Sequence, residues 1–152
     1  MVNNFDVTRY IQLLKKEASL ENQEKSLYKA NQKEYLELLT YKSIVLNHIF
    51  WENRRQFLLL MENFVNGIID GEEFCADLLG LHRKILDVYH AFETDFEKLK
   101  DFQPNLRSKD FGLLISFLRC QCDCFEPDST FVELNMVRES EDLTEEELKN
   151  SI

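Results

Sequence analysis

Three cysteines stand two apart at Cys120, Cys122 and Cys124, and Cys75 is the fourth in the chain. Thiolates at x, x+2 and x+4 can ligate zinc from an extended backbone. On a helix the same spacing puts Cys120 and Cys124 on one side and turns Cys122 nearly to the other. Structural zinc sites usually separate paired cysteines by two residues, and redox pairs do the same; neither pattern is present. Free thiols are therefore expected, buried or partly exposed. The three histidines, His48, His82 and His90, lie in no Gly-x-Ser-x-Gly turn and beside no local nucleophile, so surface or boundary positions are expected of them. Carboxylates cluster as Glu72/Glu73, Asp123/Glu126/Asp128, Glu141/Asp142 and Glu145/Glu146/Glu147. A general acid needs a carboxyl group held against apolar walls, and no such wall is legible around them. They are better suited to present a negative potential, which speeds encounter with a basic partner and repels wrong ones. The sequence therefore predicts a non-enzymatic protein with no catalytic, cofactor-binding or metal-binding residues.

Helices must position these groups. Before Gly67 the chain has neither Gly nor Pro. Val7, Ile11, Leu14 and Ala18 make one helical face, with Asn4 or Asp6 as its cap. Glu21 to Glu34 is almost all polar and reads as an exposed helical stretch or a joint. The apolar face returns at Tyr35, Leu38, Leu39, Val45 and Ile49. Phe57, Met61, Phe64 and Ile68 repeat the spacing, and Gly67 or Gly71 can end that helix. Asp70 and Glu73 form a capping-box-like start. The clearest stripe follows: Phe74, Leu78, Leu81, Ile85, Val88, Phe92, Phe96 and Leu99. A helix over 72–100 would be roughly 43 Å long. Gln103-Pro104-Asn105 breaks it. Ser108 can cap a further helix that buries Phe111, Leu114, Ile115, Leu118 and Cys122 and stops at Glu126-Pro127-Asp128. Thr144 and Glu147 open a short last helix as a second capping box.

The composition agrees with helices and excludes much else. With 4 Gly and 2 Pro in 152 residues, an all-β protein or a glycine-loop nucleotide enzyme is ruled out in practice. The longest purely apolar stretch is Phe57 to Met61, far short of the about 20 residues of a membrane span. No signal peptide is visible, so a reducing aqueous compartment is expected. The net charge is −10, which disfavours direct nucleic-acid binding. Residues 123–152 carry 2 basic and 10 acidic groups and hold most of that excess. The expected architecture is all-α: an antiparallel four-helix bundle over residues 51–152, cored by 54–122 and the last helix. Residues 1–50 form an N-terminal helical arm that packs alongside the bundle or projects from it.

The order of these segments carries a resemblance. An apolar helix from Phe57 to Phe64 leads into Asn66-Gly67-Ile68-Ile69-Asp70-Gly71-Glu72-Glu73-Phe74 and a long helix. Leu106-Arg107-Ser108-Lys109-Asp110-Phe111-Gly112 follows, then Cys122-Asp123-Cys124-Phe125-Glu126-Pro127-Asp128, then an acidic Leu-Thr-Glu-Glu-Glu-Leu helix. Over about two-thirds of the chain this resembles the colicin D-type immunity family, whose members also occur in cyanobacteria and plastid genomes. The resemblance implies a small acidic bundle that covers the active site of a tRNA-cleaving toxin domain. A ribonuclease cleft is basic because it holds RNA, and a carboxylate-rich protein can occupy it as an RNA mimic. Asp123, Glu126 and Asp128 match the family's turn, and with Glu72 and Glu73 they are the expected partner-binding residues. The location implied is the cytoplasm, or the plastid stroma for a plastid-encoded member.

Two rival readings remain at this level. One is a helical adapter that binds through residues 1–50, using Tyr35, Leu38, Leu39 and Val45. The other is a metal protein using the cysteine cluster. The long stripe and the arm are also compatible with a homodimer.

Overall fold

The computed structural model describes residues 5–105, 107–128, 130, 137, 139 and 141–152. Among them the fold is all-α, in eight helices: α1 Val7–Glu21, α2 Leu27–Ala30, α3 Gln32–Glu52, α4 Arg54–Val65, α5 Gly71–Thr94, α6 Phe96–Lys100, α7 Ser108–Cys124 and α8 Glu145–Asn150. The described residues contain no strand, and a single parallel bridge joins Phe125 to Leu143. No described helix is long and apolar enough to cross a membrane.

Side-chain caps set most of the boundaries. Asp6 accepts from the Arg9 N–H (3.0 Å) at the start of α1; the other expected cap, Asn4, lies outside the described residues. Asn31 starts α3 by accepting from the Glu34 N–H (3.1 Å). The polar stretch 21–34 is therefore a joint holding the short α2. Helix α4 ends in a Schellman turn: the Gly67 N–H bonds Phe64 O (3.0 Å) and the Ile68 N–H bonds Asn63 O (2.8 Å), with Gly67 at φ +70°. Asp70 caps α5, accepting from the Glu73 N–H at 2.9 Å.

Two expectations about α5 need correction. The helix over 72–100 is broken at Asp95, whose side chain accepts from the Lys98 N–H (3.2 Å) and starts α6. The stripe also changes line: Val88 is 52% exposed and Tyr89 is buried in its place. Steps of 4 and 3 average 3.5 residues, whereas a straight helix turns once per 3.6, so the seam drifts about 20° per heptad. A third correction concerns Ser108. It is not the cap of α7 but its first residue, buried, with its hydroxyl donating to Asn105 O (2.6 Å).

One hydrophobic cluster holds the helices together, and it reaches beyond residues 54–122. Tyr10 and Leu13 of α1 and Leu38, Val45 and Phe50 of α3 share it with Phe57, Phe64, Phe74, Leu78, Ile115, Leu118 and Leu148. Helix α3 runs unbroken past residue 50. Phe64 stacks on Phe74 (4.5 Å between centroids), and Phe111 meets Trp51 and Phe57 edge-on at 6.0 and 6.1 Å. Asn47 of α3 packs directly on Gly112 of α7, where an added Cβ would stand 2.0 Å from Asn47 Oδ1. Polar links fasten α1. Arg9 grips Glu37 through two bonds (3.0 and 2.8 Å), Lys42 pairs with Glu17 (2.7 Å), and Tyr10 donates to Glu93 on α5.

Candidate acidic binding face

The N-terminus of α5, the turn after α7 and the start of α8 meet at one end of the molecule. Leu143 donates its N–H to Cys124 O (2.9 Å) and accepts from the Glu126 N–H (3.3 Å), so the chain entering α8 is laced to the chain leaving α7. The Phe125 ring then lies over Gly71, where an added Cβ would come within 2.7 Å of Cζ. A side chain at 71 would push the turn away; glycine lets the ring close over the helix end. Glu145 completes the joint by accepting the Gly71 N–H (3.1 Å). Thr144 and Glu147 make the expected capping box, and Leu148 is wholly buried.

This packing leaves a cleft of about 270 Å³ lined by Asp70, Glu72, Phe125, Pro127, Asp128 and Glu145. Four carboxylates from three separated segments thus border one cleft, beside Phe125 and Pro127. Their mutual repulsion is offset locally. The N-terminal end of a 24-residue helix carries partial positive charge toward them. Lys149 sits 3.1 Å from Glu145 while also lying over the Phe64 ring at 5.2 Å. The arrangement suits a cation presented on a flat or aliphatic stem, such as an arginine or lysine side chain.

Of the five residues expected to bind a partner, Glu72 and Asp128 line this cleft. Glu73, Asp123 and Glu126 do not. The Glu73 N–H serves the Asp70 cap, and Asp123 faces Arg119 across 3.9 Å on the exposed side of α7. Sequence reasoning missed two members. Asp70 was legible as a cap alone, and Glu145 was one of three adjacent glutamates with nothing local to single it out. Their placement follows from the Phe125–Leu143 bridge, which has no sequence signature.

The cysteines divide as a helix requires. Cys120 and Cys124 are exposed, whereas Cys122 is buried beside Cys75 of α5. The Cys75 contact and burial both push the Cys122 thiol up, so it is a poor nucleophile and a poor ligand. Among the described residues no three or more His, Cys, Asp or Glu side chains are arranged to hold a metal ion. The histidines sit at the edges of the core. His48 accepts the Asn105 N–H at Nδ1 (3.1 Å), which leaves its proton on Nε2, and its ring meets Phe102 at 4.9 Å. Burial lowers the pKa of His48 and of His82, whose ring lies against Phe50 at 5.2 Å. His90 is exposed beside Tyr89.

The apolar residues of the adapter reading are largely consumed by packing. Leu38 and Val45 are fully buried and Tyr35 is half-buried, while Leu39 is exposed. No family model matches the chain, and neither does any curated protein or solved structure.

Proposed function

We propose that the chain is a non-enzymatic, immunity-like protein that binds and inhibits a basic, tRNA-nuclease-type protein domain. The reading takes the helices as an antiparallel bundle whose acidic end enters the partner's RNA-binding cleft. One observation carries it: Glu72 and Asp128, far apart in sequence, border the same cleft with Asp70 and Glu145. The concentration of negative charge in residues 123–152 supports the same face, because Glu145 of that segment accepts the Gly71 N–H at the α5 terminus and Leu143 is bonded to the end of α7. Carboxylates here would take arginine and lysine side chains that otherwise grip phosphates.

The test uses a purified colicin D-type tRNA-cleaving domain, with tRNA integrity and calorimetric affinity as readouts. Near-stoichiometric protection of tRNA is expected. Affinity should fall steeply between low salt and about 0.3 M salt, where screening acts within several Å. The triple variant E72Q/D128N/E145Q keeps the side-chain acceptor for the Gly71 N–H and should lose about 10- to 100-fold in affinity, taking about 0.5–1 kcal/mol per exposed pair. Full-rate cleavage in excess protein, or unchanged affinity in the triple variant, refutes the proposal.

A further inference from the structure

The outer face of α7 carries an apolar seam that the fold does not use. Leu113 and Phe117 are 59% and 47% exposed, and Cys120 and Cys124 complete the line in the open. The steps are 4, 3 and 4, the spacing with which two helices share a left-handed seam. The opposite side of α7 is already spent on Phe111, Ile115, Leu118 and Cys122 in the core.

The charges around the seam identify its occupant. On a chain of net charge −10, Lys109, Asp110, Arg119 and Asp123 leave α7 neutral, so a second copy is not repelled there. A basic partner gains nothing on this face. At 100° per residue, Lys109, Ser116 and Asp123 fall on the same flank of the seam. Lys109 and Asp123 are 14 residues apart, about 21 Å along the axis. A parallel pairing would put this flank of the two copies on opposite sides of the seam and leave Lys109 and Asp123 without each other. A two-fold antiparallel pairing about Ser116 instead sets each Lys109 beside the partner's Asp123. It also drops Leu113 between the partner's Phe117 and the partner's Cys120, with the small Ser116 at the axis.

We propose that this chain forms a symmetric dimer in which α7 packs antiparallel on α7 of a second copy, along Leu113, Phe117 and Cys120. The proposal is independent of the acidic cleft. The experiment is sedimentation equilibrium of the full chain under reducing conditions, from about 10 μM to about 1 mM, the range set by a modest helix–helix seam. A concentration-dependent monomer–dimer equilibrium is expected. F117D should abolish it while leaving the helical circular dichroism intact. K109E and D123K each disrupt two symmetric pairs and should each weaken dimerisation about tenfold. The double variant K109E/D123K should recover the wild-type constant. A wild-type chain that stays monomeric throughout, a dimer indifferent to F117D, or a double variant no better than the singles would overturn the proposal.

Discussion

Substituting Gly112 by alanine separates packing from helix propensity at the contact between α3 and α7. Inside a helix, Gly→Ala is worth about 1 kcal/mol of stabilisation from propensity alone. At Gly80, on α5, an added Cβ meets nothing within 4 Å, so G80A should deliver that gain. At Gly112 the same methyl group would stand 2.0 Å from Asn47 Oδ1, 2.5 Å from its Cγ and 3.0 Å from its Cβ. The first two contacts are far inside van der Waals distance and force the Asn47 amide out of its place between the helices, whereas the third is relieved by a shift of a few tenths of an ångström. Overpacking of this kind costs about 1–3 kcal/mol, so G112A should be destabilising by about 0–2 kcal/mol after the propensity gain. The N47A background removes Oδ1 and Cγ. There G112A should become neutral or stabilising, for a coupling of about 1–3 kcal/mol. Urea unfolding followed at 222 nm reads all five proteins; in a chain of 152 residues each kcal/mol also moves Tm by about 2–4 °C. Equal effects of G112A with and without Asn47, or a G112A protein as stabilised as G80A, would refute the argument that this contact sets the α3–α7 spacing.

Three further outcomes are expected. Burial and the neighbouring Glu93 raise the pKa of Tyr10 and Tyr89 above the ordinary 10.0, so the folded state holds protons that the unfolded state loses. Stability should therefore fall as pH rises above about 10, by up to about 1.4 kcal/mol per pH unit for each tyrosine, and less steeply in Y10F; an unchanged slope in urea titrations would contradict this. Burial lowers His48 below 6.5, so its contribution to stability is present above that value and is lost as pH falls below it. An NMR midpoint for His48 above 6.5 would show that the nearby Glu52 carboxylate outweighs burial at this ring. A thiol reagent should modify two cysteines quickly, Cys120 and Cys124, and reach Cys75 and Cys122 after denaturation alone; four fast thiols would refute the placement of Cys122 against α5.

Much of the local structure is legible in residue types and spacing. The caps at Asp6, Asp70 and Thr144, the stop at Gly67 and the opposed faces of Cys120 and Cys122 all follow from hydrogen bonds or periodicities spanning at most a few residues. The breaks and exchanges that escaped notice are those where a neighbour in sequence competed for the same role. Asp95 is a capping residue inside a continuous apolar stripe, and Tyr89 adjoins Val88, so the periodicity alone does not choose between them.

The candidate site depended on longer range. All-α class, net acidity and the poverty of turns are sums over the chain and need no coordinates. That Glu72 and Asp128 share a cleft while Asp123 points away was decided by the Phe125 ring closing on Gly71 and by the bridge to Leu143. The same holds for α1, where the choice between packing alongside and projecting was decided by Tyr10 and Leu13 joining the common core and by the Tyr10–Glu93 bond to α5. A hydrophobic stripe tells that a face will be buried. It does not tell against what, because apolar burial is non-directional, and the partner is chosen by the packing of the whole chain.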